Sequence, residues 1–148
     1  IPLRIAEQIL TEKEEKLRKD MDLHGLHVLL AEDNDLNAEI AVSLLEEQGM
    51  IVTRAADGKS ALLQFCNTAP GTFDLILMDI MMPEMNGYET TKAIRNLSDR
   101  KKIPIIAMTA NAFAEDVQAA LDAGMDDHVA KPMDMDILIS AIEKCVKR

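Results

Sequence analysis

Residues 73–80 read FDLILMDI, and within them four uninterrupted apolar residues, Leu75 to Met78, are closed by an acid, Asp79. A short unbroken apolar run is what a strand buried on both faces requires, and such strands belong to parallel sheets covered by helices on either side. Asp79 then lies at the strand's carboxyl end, where open α/β sheets bring their ligands and their chemistry. The turn that follows, MPEMNG at residues 82–87, leads the chain away from the sheet. One acid after one strand is ordinarily a turn residue or a helix cap. Its meaning depends on what the rest of the chain places around it.

The same pattern repeats on both sides. Residues 26–31 read as a strand ending in Glu32-Asp33-Asn34-Asp35. A helix follows with Leu36, Ile40, Leu44 and Leu45 on one face, stopped by Gly49. Residues 50–55 form a second strand, and Asp57 is a fitting N-cap for a helix carrying Ala61, Leu62 and Phe65. Pro70-Gly71 breaks the chain before the run that opened this reading. Beyond it, Tyr88, Thr91, Ile94 and Leu97 mark a third helical face, and residues 103–108 a fourth strand with Pro104 tolerated near its start. Residues 112–123, with Val117, Ala120 and Leu121, form a helix closed by Gly124. Residues 127–130 make a short fifth strand, and Ile137, Leu138, Ala141, Ile142 and Cys145 line a last helix. Strands alternating with helices in this way predict an α/β fold, a five-stranded parallel sheet with helices on both faces. The order 2-1-3-4-5 is the common solution for such a chain.

Residues 1–24 are of a different kind. A short apolar scrap, IPLRI, precedes a charged segment in which Glu12, Glu14 and Glu15 stand three or four residues ahead of Lys16, Arg18 and Lys19, the spacing of an exposed helix. Leu10, Leu17 and Met21 keep a thin apolar stripe. The expected organisation is a helical linker over 1–24 and one domain over 25–148. The chain opens on Ile rather than Met, which points to a segment of something longer.

Charge and composition narrow the partners. A formal net charge of −10 argues against gripping nucleic acid or an anionic membrane, either of which would need a basic patch, and it suits a divalent cation. Cys66 and Cys145 have no metal-ligand spacing, so two buried free thiols in a reducing cytoplasm are expected. No apolar run approaches 18 residues and no leader pattern is present, so no membrane contact is expected of this segment.

In the order 2-1-3-4-5 the strand ends point one way. Glu32 and Asp33, Asp79, Thr109 and Lys131 then converge on one crevice. Crowded carboxylates stay ionised only with a cation among them, and carboxylate oxygens with water are what Mg²⁺ prefers, completed by phosphate oxygens. Lys131 adds a second positive charge and Thr109 a hydroxyl donor. Together these groups suit a phosphoryl transfer onto Asp79, a carboxylate nucleophile.

With these residues in view, the chain resembles a two-component receiver domain over residues 26–146. The likeness rests on Glu32-Asp33-Asn34, on MDIMMP at 78–83 with Met85 and Gly87, on Thr109-Ala110, and on Lys131-Pro132. It implies a flavodoxin-like fold with Asp79 as phosphoacceptor. Asp33 would be the direct Mg²⁺ ligand, with Asp79 and the backbone carbonyl of Met81, and Glu32 would reach the ion through water. Thr109 and Lys131 would hold the phosphoryl oxygens, and the Lys131–Pro132 bond would be cis. The residues also depart from the family's pattern. Glu32 replaces the frequent first Asp of the pair, and His128 replaces the aromatic switch residue, three positions before the lysine. His128 is either a pH-sensitive switch partner of Thr109 or an ordinary half-buried histidine; the second is preferred.

Asn37, residues 82–89 and residues 108–112 are similar to receivers fused behind histidine kinases, and Ile1-Pro2-Leu3 resembles the final strand of a kinase ATP-binding domain. With no DNA-binding pattern after the last helix, this implies the receiver of a hybrid sensor kinase. It would take a phosphoryl group from phosphohistidine and pass it to a histidine phosphotransfer protein; the alternative is a stand-alone regulator. Its output would use either the surface around the first helix or homodimerisation through helix four, strand five and helix five. Met81, two residues after Asp79, cannot orient a water, which predicts slow self-dephosphorylation. Three other classes fit less well. A dehalogenase-type phosphatase needs a second Asp where Met81 stands. A flavodoxin-like nucleotide binder needs Gly, Ser and Thr where Glu32 to Asp35 stand. A docking-only receiver needs a lost site residue, and none is lost.

Overall fold

Short apolar runs separated by amphipathic segments produce the expected layers. The computed structural model describes residues 23–69, 71–97, 103–110, 114–131 and 134–146. Among them, strands β1 (His27–Ala31), β2 (Ile51–Ala55), β3 (Leu75–Asp79), β4 (Ile105–Thr109) and β5 (Asp127–Ala130) alternate with helices α1 (Asp35–Glu47), α2 (Gly58–Asn67), α3 (Gly87–Arg95), α4 (Ala114–Ala123) and α5 (Met135–Val146). All strand pairs are parallel and the order is β2-β1-β3-β4-β5.

The period of two along each strand divides the core. Val28, Leu30, Leu75, Leu77, Ile106 and Met108 pack against α1 and α5 through Ala38, Ala41, Leu45, Leu138 and Ile142. Leu29, Ile76, Met78, Ile105 and Ala107 pack on the other face with Ala61, Phe65, Ile94 and Ala120 of α2, α3 and α4. Burying a Leu or Ile contributes about 1.5–3 kcal/mol, against about 1–2 kcal/mol to fix its backbone. Central β3, buried at every residue, is therefore a net gain, whereas edge strand β2, with Ile51 half exposed, depends on its neighbours.

Helix ends follow their caps. The Asn34 side chain accepts from the Asn37 N–H at 2.9 Å, and Asp57 from the Ser60 N–H at 2.7 Å, as the sequence predicted for Asp57. Gly49 takes a φ of +86° after α1, letting its N–H reach the Glu46 carbonyl and the Met50 N–H the Leu45 carbonyl. Gly87 begins α3 against the active strand: a Cβ there would stand 2.5 Å from the Asp79 carbonyl oxygen and 2.9 Å from Ile80 Cα. Only glycine permits that approach.

Several expectations are corrected. Leu36 and Ile40 are 65% and 51% exposed, because α1 meets the sheet through the small stripe Ala38, Ala41 and Leu45, which draws the helix close and turns the bulkier residues outward. Ile137 and Leu121 are likewise exposed beside the buried Leu138 and Ala120. Cys66 is exposed rather than buried, while Cys145 is buried; both are free. Strand β4 begins at Ile105, since Pro104 offers only its carbonyl, which accepts from the Ile76 N–H at 2.9 Å. It extends through Thr109. The helical segment expected within residues 1–24, up to residue 22, the start of α4 at Ala112 and the cis bond at Pro132 lie outside the described residues. No helix among the described residues is long and apolar enough to cross a membrane.

Candidate phosphoryl site

The carboxyl ends of β1, β3, β4 and β5 bring the predicted residues together. Asp79 ends β3 and is buried, and its register partner on β4 is Met108, so Thr109 lies one step beyond it at the same end of the sheet. Thr109 is also buried, and its carbonyl accepts from the Lys131 N–H at 2.8 Å, tying the ends of β4 and β5. Glu32 is buried just past β1, while Asp33 beside it is exposed.

One oxygen from each of Glu32, Asp33 and Asp79 lies within 4.8 Å of the others. Into this group reaches Lys131, whose Nζ is 2.7 Å from Glu32 Oε2 and 3.1 Å from Asp79 Oδ2. The other Asp79 oxygen accepts from the Met81 N–H at 3.1 Å, and Met81 is 74% exposed. Both Asp79 oxygens are thus fixed in direction, and of the three acids Asp33 alone is exposed to solvent.

The charges do not balance. Three carboxylates face one ammonium. Burial, and next the charge of Glu32, push the Asp79 carboxyl up to about 7 against the pull of Lys131. Burial also works against the Lys131 ammonium, but the Glu32 hydrogen bond and the Asp79 charge outweigh it and raise that group above the usual lysine value. Oxygen-only donors, one of them open to solvent, fit a hard divalent cation, which would return Asp79 to its ionised form.

His128 lies outside this group. It pairs with Ala107 on β4, as Ala130 does with Thr109, so His128 and Thr109 share a face of the sheet two residues apart. Its Nδ1 is 3.8 Å from Asp127 Oδ1, and the side chain is about one-third exposed.

Arg54 was not singled out by the sequence reading. Its guanidinium, from the end of β2, donates to the Glu32 carbonyl through Nε at 3.2 Å and Nη2 at 2.9 Å. The available signal was a lone arginine at the carboxyl end of the strand beside the acidic loop.

Residues 28–143 match the response regulator receiver domain family. The aerobic respiration control sensor protein ArcB of Escherichia coli is 41% identical in an alignment of 126 residues that covers 84% of this chain and 16% of ArcB. The chain therefore spans about a sixth of that relative's length. Among solved structures, the receiver domain of the sensor histidine kinase PA1611 of Pseudomonas aeruginosa superposes with a TM-score of 0.76 at 35% identity, covering 84% of this chain and 99% of that one; it holds a magnesium ion in its active-site cleft. The complex of the Saccharomyces cerevisiae phosphotransfer protein Ypd1 with the receiver domain of Ssk1 gives a match of TM-score 0.76 at 27% identity, over 84% of this chain and 91% of that chain.

Proposed function

Since this chain belongs to the response regulator receiver domain family, we propose that Asp79 accepts a phosphoryl group from a phosphohistidine in a two-component phosphorelay and passes it to a histidine phosphotransfer protein. The observation that carries this reading is the buried Asp79 carboxylate held between Lys131, at 3.1 Å, and two further acids at one end of the sheet. An Asp79 oxygen attacks phosphorus, the P–O bond forms as the P–N bond breaks, and the leaving imidazole keeps the electron pair and takes a proton.

Asp79 must be ionised to attack. Asp33, Asp79 and the Met81 carbonyl would hold Mg²⁺, with Glu32 reaching it through water; once bound, the ion neutralises carboxylate and phosphoryl charge together. Lys131 supplies the second positive charge and the Thr109 hydroxyl a hydrogen bond to a phosphoryl oxygen. Thr109 and His128 stand at the family's switch positions, and His128, about one-third exposed beside Asp127, is read as an ordinary half-buried histidine rather than as a relay partner.

The partner histidine docks on the surface of α1. Leu36, in its first turn after the acidic loop, and Ile40, one turn on, are exposed apolar residues, and exposed Met81 adds to them beside Asp79. The parent protein is a hybrid sensor kinase with this receiver on its cytoplasmic side, and residues 1–24 join it to the kinase core. Likeness to ArcB supports this context.

The test is intact mass after incubation with acetyl phosphate, with and without Mg²⁺, for wild type and Asp79→Asn. One phosphoryl group is expected on wild type with metal alone. An equal adduct on Asp79→Asn would overturn the assignment. Phosphorylated protein mixed with a histidine phosphotransfer protein should then lose its label to the partner.

A further inference from the structure

Edge strand β2 carries Arg54 next to last, paired in register with Leu30 of β1. Beyond the final ladder pair, Ala31 with Ala55, the Glu32 N–H still donates to the Ala55 carbonyl at 3.1 Å. Arg54 continues that tie with its side chain. Nε and Nη2 donate to the Glu32 carbonyl at 3.2 and 2.9 Å, Nη2 also lies 3.4 Å from the Asp33 carbonyl, and Nη1 pairs with Asp35 Oδ1 at 2.8 Å. All three guanidinium nitrogens serve one short stretch, the loop that carries two of the three clustered carboxylates and the first residue of α1.

The choice of atoms matters. Arg54 holds the backbone of Glu32 and Asp33 and leaves their carboxylates to other partners: Glu32 Oε1 accepts from the Asn34 N–H at 3.1 Å and Oε2 pairs with Lys131 at 2.7 Å. Those acids repel one another and Asp79, and an untethered loop would relax outward, taking Asp33 away from the other two. A planar fork reaching two successive carbonyls and a third residue resists that motion; a lysine ammonium, a point donor, cannot reproduce it.

We infer that Arg54 is a positioning residue that fixes the acidic loop for its divalent cation, a role that rests on the receiver reading of the site. The sign is diagnostic. As a charge alone, Arg54 opposes a nearby cation, and its removal would tighten binding. As a brace, its removal weakens binding.

Calorimetric titration of Mg²⁺ into metal-free wild type, Arg54→Met and Arg54→Lys decides between these, together with amide hydrogen exchange of residues 32–37 before metal is added. Arg54→Met should bind Mg²⁺ roughly tenfold more weakly, the low end of losses for partners that orient a metal's ligands. Its loop amides should exchange faster while those of β3 and β4 keep their protection. Arg54→Lys, with its charge restored, should recover less than half of the lost affinity on a logarithmic scale. Unchanged or tighter binding in Arg54→Met would overturn the proposal. Should that variant not fold, wild-type affinity in Arg54→Lys would overturn it alone. If wild type itself takes no Mg²⁺, the receiver reading fails and this role fails with it; a wild type that binds beside an unchanged variant leaves the reading intact.

Discussion

The two ends of the sheet each carry a half-buried cation, and they use it in opposite ways. At the amino ends of β4 and β5, Arg95 donates through Nε to the Gly124 carbonyl at 2.8 Å, through Nη1 to the Ile103 carbonyl at 2.6 Å and through Nη2 to Asp126 at 2.9 Å. The same Asp126 oxygen accepts from the Ile105 N–H at 2.9 Å. One cation meets one acid and carbonyls, and every group has a partner. At the carboxyl ends, Lys131 faces three acids that it cannot neutralise. The first arrangement holds elements together; the second leaves an electrostatic deficit for a ligand to fill. Burial alone does not mark a functional charge. Imbalance does.

The sharpest way to break this contrast is to remove each centre and measure stability without metal. Arg95→Ala leaves Asp126 and two carbonyls short of a donor, and should cost about 2–4 kcal/mol, reduced from the fully buried case because Asp126 is partly exposed. Asp79→Asn removes one of the repelling acids, and should raise the urea midpoint at pH 8 while abolishing phosphoryl acceptance. Arg95→Ala, wherever it remains folded, should still be phosphorylated. If both substitutions destabilised the protein alike, the site end would be ordinary structure and the comparison would fail.

A pH series sharpens the same point. In the metal-free fold the Asp79 carboxyl stands at about 7 against 3.8 for the free group, through burial and the charge of Glu32. Between those values the folded state holds a proton that the unfolded chain has lost. The Asp79 contribution to stability is therefore present below 3.8 and is lost as pH rises through about 7. The urea midpoint of wild type should fall relative to that of Asp79→Asn across this window, and Mg²⁺ should flatten the difference by favouring the ionised form. Parallel midpoints from pH 4 to 8 would show that Asp79 titrates as an ordinary carboxylate.

The two ends also differ in how far the sequence revealed them. The site was legible because each of its residues directly follows an apolar run, and a parallel sheet collects such positions at one end. The Arg95 clip was not: it joins residues 29 to 31 apart, Gly124 and Asp126, through a side chain that in one dimension looks like a helix-ending arginine. Arg54 escaped for the same reason, since its partners are mostly backbone carbonyls, which have no sequence signature. The face of α1 was misplaced, because Leu36 and Ile40 score as core by hydropathy while small Ala38 and Ala41 decide how closely the helix can sit; on α5 only Ile137 was misjudged, and Leu138, Ala141, Ile142 and Cys145 are buried as expected.

The smallest expected effect concerns the residue that follows Asp79 by two at the site end. Two residues after Asp79, Met81 is 74% exposed and carries neither an acid nor an amide. Its backbone N–H is committed to Asp79 Oδ1 at 3.1 Å, so the residue can position the carboxylate but cannot hold a water in line with phosphorus. An asparagine would present an amide to that water while leaving the backbone contact in place. Met81→Asn should shorten the phosphoryl half-life in Mg²⁺ by roughly threefold to tenfold, below the full gain from a general base, because an amide orients water but does not take its proton. Decay of the purified phosphoprotein, followed by intact mass, measures this directly. A half-life of seconds in wild type that Met81→Asn leaves unchanged would mean that some other group already directs water to the phosphoryl.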